Sequence, residues 1–255
     1  MALDIRRAAP DAPDASGRPA GPDLAEKGRD AQGATTRLDR RLYIQLLSYT
    51  DCPDVSAVVD QMEASGLPGV VYASAHDPRG VAVATFSEDP GFFVDAGRSL
   101  HTSGALGGLT PLPHLTMFGR TYSIGYEQDL ADTLVHRPVR TMTNPDWPWA
   151  VWYPLRRRGA FERLSADEQR TMLMEHGGIG RSFGAADLAH DVRLNCQGLD
   201  PGDNDFVAGL VGKDLHPLSA VVARMRGTRQ TAEFIERLGP FVVGRAVWQR
   251  AASAA

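Results

Sequence analysis

Residues 41–74, RLYIQLLSYTDCPDVSAVVDQMEASGLPGVVYAS, change their hydrophobic rhythm twice, and those changes set the fold class. Leu42, Ile44, Leu46 and Leu47 interleave with Tyr43, Gln45 and Ser48, the pattern of a strand with one mostly buried face. Val55, Val58, Val59 and Met62 then recur at helical spacing, until Gly66 and Pro68 end the helix. Val70 to Ser74 is β-rich again. A strand, a helix and a strand in succession open a β-α-β unit.

Moving outward toward the C-terminus, a second β-rich run, Val81 to Phe86, follows the turn residues Asp77, Pro78 and Gly80. A helical stretch around Phe92 to Leu100 and a strand around Leu115 to Ile124 complete the order β-α-β-β-α-β. The same order then repeats. A strand at Trp149 to Tyr153 precedes a helix whose start is fixed by a capping box, Ser165 with Glu168. Strands at Asp191 to Cys196 and Phe206 to Val211, a helix at Leu215 to Met225 and a strand at Phe241 to Val247 follow. The halves share little residue identity, so the repeat is architectural. The expected fold class is α+β: two ferredoxin-like (split β-α-β) units, residues 41–135 and 149–248, in one subunit. Each sheet has one face covered by helices and one open, and the open faces meet in a dimeric α/β-barrel-like arrangement or enclose a ligand.

Toward the N-terminus the pattern dissolves. Residues 1–40 hold seven acidic and seven basic residues, four prolines, four glycines, nine alanines and no aromatic residue, too little to offset the entropy of ordering them. They are expected to be a disordered tail. Their acid content argues against a transit peptide.

Composition narrows the function classes. Hydrophobic residues at 43% allow a sizeable core. A formal charge of −4, with 27 basic residues spread along the chain, gives no field to attract a phosphate backbone, so nucleic acid is not the expected partner. Cys52 and Cys196 have no C-x-x-C spacing, which disfavours a zinc site or disulfide scaffold and suits a reducing cytoplasm. No apolar run reaches the ~18 residues of a membrane span, and no signal peptide is visible.

Familiar catalytic loops are missing: there is no G-x-x-x-x-G-K-[ST], no G-x-S-x-G and no H-E-x-x-H. Gly177, Gly178 and Gly180 read as a stop after a helix Asp167 to Glu175, with His176 projecting from its end. A lone histidine cannot hold a bare metal ion with useful affinity, but it can hold haem iron, because the porphyrin supplies four ligands. The run Arg156-Arg157-Arg158 directly follows the Trp152-Tyr153-Pro154 strand. It reads either as a solvated loop or as a clamp for carboxylates such as porphyrin propionates.

These pieces together resemble the chlorite dismutase family, haem proteins that include chlorite-degrading enzymes and coproheme decarboxylases. The resemblance rests on Trp152 to Arg158, on Met172-Leu173-Met174-Glu175-His176-Gly177-Gly178-Ile179-Gly180-Arg181, on Gly198-Leu199-Asp200 with Asp205-Phe206-Val207, on Met225-Arg226-Gly227-Thr228, and on Pro240 to Arg245. It covers about residues 149–247 in the right order; the first half matches only in element order. It implies haem b or coproheme as cofactor, with His176 as proximal iron ligand and Arg157 and Arg181 in the binding set. Tyr153 would be the redox-active tyrosine that attacks a propionate after peroxide is consumed, a step of haem biosynthesis. A homo-oligomeric cytoplasmic enzyme acting on a porphyrin with peroxide or chlorite is the corresponding expectation.

The distal side departs from the family pattern. The residue that separates the family's reactions lies on the strand before Gly-Leu-Asp, here His190-Asp191-Val192-Arg193-Leu194-Asn195. Strand alternation puts Asp191, Arg193 and Asn195 on one face, expected to be the pocket face. Counting back from Gly198 selects Asp191, a shifted gap selects Arg193, and His136 is a further candidate from upstream. Peroxide-dependent coproheme decarboxylation is the leading expectation, with chlorite breakdown to chloride and dioxygen, through Arg193, and a non-enzymatic haem carrier or sensor as alternatives.

Overall fold

The expected alternation organises eight antiparallel strands: β1 (Tyr43–Thr50), β2 (Gly69–Ser74), β3 (Val81–Ser87), β4 (Met117–Thr121), β5 (Trp149–Arg157), β6 (His190–Asn195), β7 (Phe206–Gly212) and β8 (Val242–Arg250). This computed structural model describes residues 21–251. Strands pair in the order β4-β1-β3-β2 in the first repeat and β8-β5-β7-β6 in the second, the order of a split β-α-β unit. The repeats then join each other twice. Gly69 to Ser74 of β2 run against Gly244 to Arg250 of β8, while β4 meets β6 at only two positions, Arg120↔Asn195 and Thr121↔Leu194. The result is a closed barrel.

Closure settles where the open sheet faces go. Ile44, Leu46, Tyr72, Phe86, Trp152, Val192 and Leu194, each at most 2% exposed, share one core inside the barrel, and Met142 of α4 (Arg137–Met142) joins it. Helices lie outside. In the first repeat α1 (Val55–Ser65), α2 (Ala96–Thr102) and α3 (Gly104–Gly107) bury Val58, Met62, Leu100 and Leu106 against Val71, Val81 and Val83. Each fully buried side chain of this size contributes about 1.5–3 kcal/mol. Asp54 caps α1 and Gly66, at φ 68°, ends it as the spacing required. In the second repeat α5 (Ala166–Ala185) and α6 (Leu215–Arg226) cover Val151, Tyr153 and Leu210, with Phe183, Leu218 and Val221 supplying the helical side.

Three expectations are corrected. The helix carrying His176 does not stop at the glycines. It begins at the Ser165–Glu168 capping box and continues through Gly177, Gly178 and Gly180 to Ala185, so His176 is mid-helix. Packing outweighs the local propensity penalty: Ile179 and Phe183 of the same helix share a core with Leu218 and Val221 of α6. Second, β5 extends to Arg157, so Arg156 and Arg157 are strand residues on opposite faces and only Arg158 follows the strand. Third, residues 21–40 do not continue a disordered tail. Glu26–Arg29 and Thr35–Leu38 form an antiparallel hairpin, held by Glu26 on Arg120 and Ser123 and by Leu38 on Leu130, Leu134 and Val135. Anchoring to the body replaces the core that the hairpin lacks. Residues 1–20 of the expected tail lie outside the described residues.

Candidate functional site

Register places the sequence candidates on one surface. Ala208 of β7 pairs with Tyr153 on one side and Arg193 on the other, giving the cross-strand row Tyr153–Ala208–Arg193. Flanking rows are Val151–Leu210–Asp191 and Leu155–Phe206–Asn195. Val192 and Leu194 point into the barrel, 1% exposed, so Asp191, Arg193 and Asn195 face outward, as alternation required. Two residues beyond Leu155, Arg157 falls on this same outer face.

Over this face lies α5. His176 is half-buried, and its Nδ1 is buried without a hydrogen-bond partner. Burial, then the Arg157 guanidinium, hold the ring below the usual histidine range, with Arg193 acting in the same sense and Glu175 opposing. The imidazole is thus kept neutral, and a neutral ring carries a lone pair on one of its two nitrogens. Arg157 sits over the rings of Phe161 and Phe206, at 4.1 and 4.8 Å, and its Nε is also buried without a partner. Its backbone amide donates to Asp205 Oδ2 at 2.7 Å, which fixes the end of β5. Arg193 pairs with Asp191 at 2.9 Å. Tyr153 is 7% exposed against the Phe241 ring, 4.9 Å between centroids, and burial pushes its phenol up to about 12.

The remaining candidates separate. Arg156 leaves the site face and pairs with Asp203 at 2.6 Å, and Arg158 is exposed after the strand. Arg181 is exposed on α5, its guanidinium beside Gly177 and Gly178. His136 is exposed beside Glu88 and Asp132, so it is not gathered with the others and its upstream distal role is withdrawn. Tyr122 was missed. Its ring lies 5.7 Å from Phe206 and 5.9 Å from the Arg193 guanidinium, beside β6. Its position two residues after Arg120, in the alternation of β4, could have revealed it.

Among the described residues no group of three or more His, Cys, Asp or Glu could hold a metal ion. A metal at His176 would therefore need a carrier that brings its own ligands. Two guanidinium groups, aromatic walls at Phe161, Phe206 and Tyr122, the small Ala208 and an unpaired imidazole nitrogen fit a flat apolar group bearing carboxylates.

Comparison with known proteins agrees with the fold. A sequence model described as chlorite dismutase matches residues 82–247. No curated protein matches in sequence. A haem-binding protein from Thermus thermophilus superposes with TM-score 0.63 at 18% identity, over 82% of this chain and 92% of that one. A putative chlorite dismutase gives 0.65 at 16%, over 82% and 95%, and a point mutant of chlorite dismutase from Candidatus Nitrospira defluvii gives 0.62 at 14%, over 82% and 92%. With the matched segment spanning most of both repeats and the barrel superposing on these structures, the chain belongs to the chlorite dismutase family.

Proposed function

We propose that this protein is a haem-dependent oxidoreductase that binds haem b or coproheme over the outer face of the second repeat and acts as a peroxide-dependent coproheme decarboxylase. The observation that carries the reading is the half-buried imidazole of His176 on α5, above a face holding Tyr153, Arg157 and Arg193. His176 would ligate iron, its neutrality maintained by burial and by the nearby arginines. The bound iron porphyrin would supply one-electron oxidising chemistry when peroxide is present.

The chain's own residues divide the remaining work. Arg157, held by Asp205 and stacked between two aromatic rings, would grip a carboxylate through its guanidinium nitrogens, of which Nη1 lies 3.7 Å from Glu162 Oε1. Tyr153 keeps its proton at neutral pH because burial disfavours the phenolate, so it can lose an electron only together with that proton. Phe241 and Phe183 of α5 pack around the Tyr153 ring. A second reading, chlorite breakdown, is favoured by one observation: Arg193 shares a cross-strand row with Tyr153 and faces the same side.

The test is the mass and spectrum of the porphyrin held by the protein, before and after peroxide. The parent is expected to release carbon dioxide from bound coproheme, whereas Tyr153→Phe should bind coproheme and release none. Normal decarboxylation by that variant would remove Tyr153 from the reaction, and dioxygen release from chlorite without decarboxylation by the parent would transfer the assignment to the second reading.

A further inference from the structure

The hairpin Glu26–Arg29/Thr35–Leu38 lies outside the segment matched to the family, yet it reaches the site. Arg120 is the register partner of Asn195, which puts Arg120 and, two residues on, Tyr122 beside the outer face of β6. Glu26 grips this stretch with both carboxylate oxygens. Oε1 accepts from Arg120 Nη1 at 2.7 Å, and Oε2 accepts from the Ser123 amide at 2.9 Å and lies 3.0 Å from its hydroxyl. The Glu26 side chain is only 12% exposed, so the charge pair is sheltered. A second tie closes the loop: the Arg29 amide donates to Glu127 O at 2.9 Å. Gly28 permits that approach, since a Cβ there would lie 2.3 Å from the same oxygen.

We propose that the N-terminal hairpin is a wall of the porphyrin site and that Glu26 is a positioning residue, acting through Arg120 and Ser123 to seat the Tyr122 ring against Phe206 and Arg193. Tyr122 is bracketed by the two residues Glu26 holds, so its backbone has little freedom to swing away. The ring in turn limits where the Arg193 guanidinium can lie. This inference rests on the proposed function only for the ligand; the coupling of hairpin to Tyr122 exists in the protein alone.

Both arms of the test use the full chain. In the unloaded protein, Glu26→Ala should shift and broaden the Tyr122 ring resonances, Glu26→Asp should recover part of the change, and Arg37→Ala, elsewhere on the hairpin, should leave them unaltered. In haemin titrations Glu26→Ala should weaken binding roughly tenfold and move the Soret band, and it should add nothing in a Tyr122→Leu background. Should Glu26→Ala fail to fold, Glu26→Gln removes the charge from Arg120 while keeping an acceptor for Ser123. Unchanged Tyr122 resonances, or additive effects of the Glu26 and Tyr122 substitutions, would overturn the proposal. A parent that takes up neither haemin nor coproheme would instead overturn the proposed function, and the resonances would still decide the role of Glu26.

Discussion

The outer faces of the two repeats are built alike and finished differently. Val83 and Ala208 are each the third residue of the third strand in their repeat. Across Val83 runs the row Leu47–Val83–Val71, and across Ala208 the row Tyr153–Ala208–Arg193. The first is roofed by α1, whose Val58 and Met62 are fully buried. The second is roofed by α5, which offers a half-buried histidine and three glycines in four positions. One face is therefore core. The other brings His176, Arg157 and Arg193 together, and buried polar atoms without partners fall on both faces: His101 Nε2 and Thr85 Oγ1 on the first, His176 Nδ1 and Arg157 Nε on the second, at about 1–3 kcal/mol for each. A helix-covered sheet face becomes a site when apolar members of a single row give way to a phenol, a gap and a cation.

The largest contrast should come from the two roofs. His176→Ala is expected to abolish the histidine-ligated haem spectrum and weaken haemin binding more than about a hundredfold, while the unloaded protein keeps or gains stability by losing an unsatisfied polar atom. Haemin titration and urea unfolding together decide this. Unchanged ligation in the variant would remove His176 from the site. At the matching roof of the first repeat, Met62→Ala should cost about 2–5 kcal/mol in urea unfolding through the cavity it leaves. A loss below about 1 kcal/mol would mean that the first face is not a packed core.

A smaller effect concerns the polar pair that the first repeat does bury. Tyr49 and His101 meet at 2.9 Å, and burial holds His101 down to about 4. In the unfolded chain this ring titrates near 6.5, so between those values the unfolded state binds the extra proton. Stability should therefore be complete above about pH 6.5 and fall toward pH 4, by roughly 2–3 kcal/mol from this group. Unfolding measured from pH 7 to 4 should show a shallower loss in His101→Gln, and equal slopes would refute the assignment.

The smallest expected change tests how loose the second roof is. A Cβ at Gly180 would meet Met225 Cε at an ordinary 3.7 Å, so Gly180→Ala should stabilise α5 by about 0.5–1 kcal/mol. A lower melting temperature would show that this glycine is required by packing.

Much of this contrast is legible in the sequence, because it depends on local periodicity. The element order, the start of α5 at Ser165 and the outward face of Asp191, Arg193 and Asn195 all follow from spacing over a few residues. What escapes is decided by partners distant in the chain. Glycine propensity argues for a helix stop after His176, and only contact with α6 shows why the helix continues. The β2–β8 and β4–β6 joins leave no mark in either strand's own pattern. Alternation could give the face of Tyr122 but not its partner Arg193, some seventy positions on, and the hairpin's place is invisible for the same reason, since it depends on Arg120.

The unequal joins of the barrel also set an order of mechanical failure. Along β2–β8 six register pairs run from Ser74↔Gly244 to Gly69↔Arg250, whereas β4–β6 has two. Sub-global opening begins where the fewest backbone hydrogen bonds must break, which here is the seam beside Arg193 and Tyr122. At that seam the ties from Glu26 to Arg120 and Ser123 stand in for the missing ladder, so the hairpin is a clasp on the weakest join of the barrel.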